Sequence, residues 1–155
     1  MSEKTIQEGM QTVMLAMGEF TGGDVVINDT SILDGSSTGA PYVIIWNSDN
    51  FIATQGTVTG NQEWEIPFTL YERFLDWNSA LNGIRDTRQA IIDKFDAVGT
   101  ARSAGGLEAT DIHTIRADGP IGEVYPRYNT PAQDTEATPV YLAQRMIAEV
   151  NEGWG

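Results

Sequence analysis

The chain has 155 residues, a 41% hydrophobic share and a formal net charge of -13, from nine Lys+Arg against 22 Asp+Glu. That length suits one domain, and the hydrophobic share argues against disorder throughout. There is no cysteine and His113 is the single histidine, which excludes disulfides, thiolate chemistry, Cys-ligated metal and a three-histidine metal site within one chain.

The longest apolar run, Tyr42-Val43-Ile44-Ile45-Trp46, is far short of the roughly 18–20 residues of a membrane span. Glu3, Lys4, Gln7 and Glu8 near the start do not read as a secretory signal. Lys4 and Arg73 bracket 68 consecutive residues without a cation, and eight of the nine cations follow. Affinity for nucleic acid rests mainly on Lys and Arg neutralising phosphates. A chain this acidic is not expected to grip duplex DNA or an anionic membrane surface. Seven of the nine cations are arginine, the residue that holds partner carboxylates bidentately. The acidity also serves solubility.

Ile6, Met10, Val13, Met14 and Met17 fall on one helical face and predict a first helix over Thr5–Met17. Thr5 with Glu8 fits a capping box, and Gly18 is its expected stop. Three methionines on this face fit ordinary core packing or an adaptable binding stripe. Asp24 to Asn28 reads as a short strand, and Thr30 to Ala40 as a loop rich in Ser, Thr and Gly. Tyr42 to Trp46 is a continuous apolar run, expected of a strand buried on both faces. Asn47 to Asn50 is a turn, Phe51 to Thr54 a brief strand, and Gly56 to Asn61 a loop.

Trp64, Ile66, Phe68 and Leu70 alternate with Glu65, Pro67, Thr69 and Tyr71, the period of a strand with one apolar face. Pro67 removes a ladder donor and predicts an edge position or a bulge. A second helix follows. Trp77, Leu81, Ile84, Ile91, Phe95 and Val98 share a face, Asp76 or Asn78 can cap it, and Gly99 can end it. Trp64, Phe68, Ile84, Ile91 and Phe95 are expected to pack together. Residues Thr100 to Gly106 read as a flexible connector.

A strand is expected over Thr110–Ala117. Residues 118–139 hold Pro120, Pro126, Pro131 and Pro139 and read as an extended Pro-rich arm or loop, of which Gly119–Pro139 is expected to be mobile in the monomer and ordered by a neighbour. Val140 to Asn151 alternates as a strand would, yet Ala143, Gln144, Arg145, Met146 and Glu149 are good helix formers. A strand is preferred, because it pairs Thr110–Ala117. The expected fold is α+β: a small mixed, mainly antiparallel sheet packed against two helices, with a long hairpin arm.

Chemistry-bearing patterns are sparse. Glu63 and Glu65 lie two apart on one strand face, as paired carboxylates of a hydrolase would, and as solubilising residues commonly do. His113 has no Gly-x-Ser-x-Gly partner for a triad. Asn47-Ser48-Asp49-Asn50 lacks the EF-hand spacing, and Gly22-Gly23 and Gly105-Gly106 lack a P-loop's Lys. No catalytic, cofactor or metal residue is assigned. What remains belongs to surfaces. Arg85, Arg88, Tyr125, Arg127, Tyr128, Arg145 and Trp154 are the candidate partner contacts, since Tyr, Trp and Arg are the preferred interface anchors.

The element order Thr5–Met17, Pro41–Trp46, Glu63–Phe74, Asn78–Val98, then Thr110–Ala117 with Val140–Asn151, resembles the tail-terminator family of lambda-like long-tailed bacteriophages and related neck and tail-completion proteins. The resemblance implies a non-enzymatic ring, most often of six copies. Such a ring would cap the tail tube, stop its polymerisation and offer a docking face to a head-completion or connector protein. It implies a virion location, tail-tube protein as a partner, and no cofactor. Six chains would carry about -78, a lumen that lets duplex DNA slide past without sticking. The alternatives are another neck, head-completion or baseplate subunit of the same small fold, or a hydrolase acting through Glu63 and Glu65.

Overall fold

The computed structural model describes residues 3–20, 24–31, 41–48, 50–53, 62–101, 111–124 and 141–152. The elements are α1 (Glu3–Leu15), β1 (Val25–Ile27), β2 (Tyr42–Ile45), β3 (Asn50–Ala53), β4 (Gln62–Arg73), α2 (Trp77–Ala101), β5 (Asp111–Ala117), β6 (Gly122–Val124) and β7 (Tyr141–Glu152). The seven strands form one sheet in the order β1-β2-β4-β7-β5, with β3 also on β4 and β6 also on β7. β1 pairs β2 in parallel and every other pair is antiparallel. This is the expected α+β architecture.

The centre of the sheet is β4 against β7, paired over twelve residues from Gln62↔Glu152 to Arg73↔Tyr141. The last segment is therefore a strand. Its alternation places Leu142, Met146, Ala148 and Val150 in the main core, which outweighs helix propensity. Both helices cover the same sheet face. Ile6, Met10, Val13 and Met14 of α1 and Ala80, Ile84, Ile91 and Phe95 of α2 join Val43, Ile45, Ile66, Phe68 and Leu70 in one buried cluster, with Trp64 packed against it. The expected packing of α2 on the long strand is thus observed. Full burial of each such large side chain stabilises by about 1.5–3 kcal/mol.

β2 is buried on both sides, because its alternate residues serve two clusters. Val43 and Ile45 face the helices, while Tyr42 and Ile44 join Tyr71 and Tyr141 on the other face. The rings of Tyr71 and Tyr141 meet edge-on at 6.0 Å. Burial, and then the nearby Asp29 and Asp24 carboxylates, raise the Tyr42 phenol above its ordinary value.

Several local expectations are corrected. The first helix already includes Glu3, so Thr5 lies in its first turn and not at its cap. The helix ends at Leu15, where Met17 N bonds Met14 O at 3.0 Å and tightens the last turn. Asp76 caps α2, its Oδ1 accepting from Ser79 N at 2.9 Å, but Gly99 lies inside the helix, which runs to Ala101. Trp77 is not a core residue: it sits on the first helical position, and Ala80 is the first α2 residue to reach the core.

Pro67 is not on an edge strand, since β4 is flanked on both sides. It is tolerated because β2 pairs residues 68–71 and β3 pairs residues 62–65, leaving 66–67 at the break between them. The arm is corrected in part as well. Gly122–Val124 pairs with Ala143–Tyr141 as β6, a strand the composition did not announce. Residues 125–139 of the expected arm, the loop at 32–40, that at 56–61 and the connector at 102–106 lie outside the described residues.

Candidate interaction surface

Two places where one strand gives way to the next along a central strand organise the polar chemistry. Along β4, Ile45 pairs Phe68 and Asn50 pairs Glu65, so residues 46–49 span the opposing pair 66–67. Along β7, Ala117 pairs Met146 and Gly122 pairs Ala143, so residues 118–121 span the opposing pair 144–145. Each break starts with a last ladder bond: Trp46 N to Pro67 O at 2.9 Å, and Asp118 N to Arg145 O at 2.9 Å.

Each break is then held by a buried glutamine. In a strand, a residue's N–H and C=O point to the same edge, so the Pro67 nitrogen faces Trp46 and has no proton to offer its carbonyl. Gln7 of α1 supplies the donor instead, its Nε2 reaching Trp46 O at 2.7 Å. Glu3 accepts from Ser48 N, and Ser48 Oγ donates to Glu65 O at 3.1 Å. At the second break Gln144 Nε2 donates to Gly119 O at 3.0 Å and to Arg145 O at 2.9 Å. Its Oε1 accepts from Arg88 of α2 at 3.0 Å. Gly119 sits at φ +89°, a backbone that L side chains rarely adopt.

The candidate contact residues separate into three groups. Arg145 is engaged in its own chain, with Nε 2.9 Å from Asp118 Oδ2, and Arg88 supports Gln144. Arg85 is exposed on α2 and carries no ion pair among the described residues. Tyr125, Arg127, Tyr128 and Trp154 lie outside the described residues. The structure therefore does not bring the seven together as one patch. His113 occupies the register shift of β5 between Ile112 and Thr114, where one extra residue is accommodated. Glu65 lies opposite Glu149 across β4 and β7, and Glu149 is paired with Arg116 at 3.1 Å. The Glu63 and His113 side chains lie outside the described parts.

Sequence reasoning missed a corner. Leu75 and Trp77, 72% and 52% exposed, are the large exposed hydrophobics among the described residues. Leu75 lies in the link from β4 into α2 and Trp77 opens α2, where Phe74 meets Trp77 edge-on at 5.2 Å. The signal was present: Trp77 directly follows a capping Asp76, so it stands one turn ahead of the first buried helical position. Arg73 is exposed beside them and has no ion pair among the described residues. On the helix-covered face next to this corner, Glu72 packs its carboxyl carbon 3.0 Å from where a Cβ on Gly83 would lie. Burial raises its pKa above the ordinary carboxyl value.

Among the described residues no group of three or more His, Asp or Glu could hold a metal ion, and no helix is long and apolar enough to cross a membrane. No protein-family model and no curated protein matches the chain.

Proposed function

We propose that the chain is a non-enzymatic bacteriophage structural protein that forms a ring, ends the tail tube and joins it to the head. The observation that carries this reading is the layout of the elements. A first helix, a strand buried on both faces, and a long alternating strand running into a long helix are followed by antiparallel closing strands. That is the order on which the resemblance to tail terminators rests, here with both helices on one sheet face. The charge of -13 supports it further, since an acidic ring lets duplex DNA pass without adhering. Its partners are copies of itself, tail-tube protein and a head-completion or connector protein, with a place in the virion neck.

Sedimentation across salt and concentration, with and without tail-tube protein, tests the reading. A closed ring, of six copies, is expected when tube protein or high concentration is present. Moderate salt should promote it by screening like charge. A strict monomer in every condition, or tight binding of duplex DNA by the isolated chain, overturns the reading.

A further inference from the structure

We infer that the Glu72 carboxylate, set beneath Gly83 of α2 and next to the Phe74–Trp77 ring pair, seats an arginine side chain of a second copy of this chain. The inference rests on the self-assembling reading above and names one contact that assembly would use.

The seat is built from few positions. Glu72 follows Ile66, Phe68 and Leu70 in the period of β4, so its side chain leaves the sheet on the helix-covered face. Beside it on β7 is Leu142, fully buried. Above it is Gly83, where a Cβ would lie 3.0 Å from the Glu72 carboxyl carbon and 3.1 Å from Oε1. Glycine is costly inside a helix, and here its missing side chain is what admits the carboxyl. Phe74, two residues further along the chain, packs on the same core, and its ring meets Trp77 edge-on. Trp77 is 52% exposed, so this ring pair stays open to solvent.

The Glu72 carboxylate lacks a counter-charge in its own chain. Among the described residues it makes no hydrogen bond and no ion pair, and burial is what raises its pKa. Arg88 of α2 is spent on Gln144. Arg73 leaves the opposite face of β4, and Arg85 stands about 200° round the helix from Gly83. A half-buried charge without a donor costs stability until a counter-charge reaches it. Exposed Asp86, one turn along α2 from Gly83, adds to the negative field. A guanidinium fits in two ways: its fork takes a carboxylate bidentately, and its flat face stacks on an aromatic ring. The chain itself carries such groups. Arg73 and Arg85 are exposed, have no ion pair among the described residues, and do not meet their own Glu72.

The first test is a titration of the purified chain with N-acetyl-arginine amide, followed by the Gly83 amide and Trp77 indole signals in NMR spectra. Both should shift in the wild type and stay still with the uncharged N-acetyl-citrulline amide. Glu72→Gln should weaken arginine binding about tenfold or more, the range for a hydrogen bond to a charged group. It breaks no ion pair among the described residues, so far-UV circular dichroism should stay unchanged. Gly83→Ala, which crowds the carboxyl from the helix side, should weaken binding too. The second test is sedimentation at moderate salt over a wide concentration range. Glu72→Gln should weaken self-association, and Arg73→Gln with Arg85→Gln should do the same while arginine-amide binding is retained.

Absence of shifts in the wild type, an equal response to the citrulline probe, or full binding by Glu72→Gln overturns the seat; rings that persist beside such a result leave the ring reading standing. Unchanged binding in Gly83→Ala overturns the part given to Gly83. Arginine binding by a chain whose self-association ignores both sets of variants upholds the seat and overturns the second copy as its source. A chain that binds the probe yet stays monomeric in every condition does the same, and overturns the ring reading as well.

Discussion

The two breaks in the strand ladders solve one problem with different materials. Between β2 and β3, and between β5 and β6, the pairing along a central strand skips two residues, and a carbonyl is left where the ladder stops. At the first break the missing donor is Pro67's, and the replacement comes from Gln7 on a helix 39 residues from Trp46. At the second, Gln144 is in β7 itself, beside the break it holds, and it also receives Arg88 from α2. The first repair ties α1 to the sheet; the second ties α2. A buried polar group is tolerated in either core because its hydrogen bonds are made.

The largest difference is expected from removing each glutamine. Gln144→Leu leaves the Gly119 carbonyl without its donor, takes one of two donors from the Arg145 carbonyl and leaves Arg88 without its acceptor, and should cost about 3 kcal/mol in a urea titration. Gln7→Leu orphans one ladder carbonyl and should cost about 1–2 kcal/mol. A ranking in the opposite order would break the comparison.

Pro67→Ala sharpens the first break. The new N–H faces Trp46 O and substitutes for Gln7, so Gln7→Leu should cost about 1 kcal/mol less in the Pro67→Ala background than in the wild type. Strict additivity of the two changes in a double-mutant cycle would show that Gln7 acts through packing alone. Asp118→Asn should matter less. It removes the Arg145 ion pair, which is about 40% exposed on each side, and should cost under about 1 kcal/mol, less still in high salt.

The smallest effect separates the two regions by pH. Glu72 pairs with Leu142 across β4 and β7, two residues along β7 from Gln144, and burial raises its pKa above the ordinary carboxyl value of 4.5. A folded-state value above the unfolded one gives stability that is fully present below the unfolded value and is lost as pH rises through the folded one. Asp29, beside the first break, is lowered below 3.8 by hydrogen bonds from Ser31, so its contribution is present above that value and lost as pH falls through the folded one. Relative to wild type, Glu72→Gln should therefore gain stability as pH rises from the region of 4.5, whereas Asp29→Asn should lose it as pH rises from below 3.8. Thermal unfolding across pH reads both, and parallel profiles would contradict the assignments.

Much of this architecture was legible in the residues. The 3.6-residue spacing of Ile6, Met10, Val13 and Met14, and of Ile84, Ile91 and Phe95, placed two helices with the correct inner faces. The period of two around Trp64 to Leu70 located the long strand, and the unbroken apolar run Tyr42–Ile45 announced a strand with a core on each side. These signals are local, because burial of one face writes its period directly into the sequence. The candidate contacts were less legible. Arginine can be counted in a sequence, but whether it meets Asp118, supports Gln144 or stays exposed depends on partners 25 residues or more away.

Tertiary structure alone decided the rest. Pro67 reads as an edge or bulge residue by its own chemistry, yet it sits in a central strand because β2 gives way to β3 opposite it and Gln7 supplies the lost donor. β6 carries little propensity of its own in Gly122-Glu123-Val124 and exists because β7 extends past the end of β5 and offers unpaired backbone. Trp77 matches the helix period and is nonetheless exposed, standing at the first helical position, one turn before Ala80 reaches the core. Periodicity names the face a residue turns inward; whether anything lies there to cover it is settled by elements that meet only once the whole chain has folded.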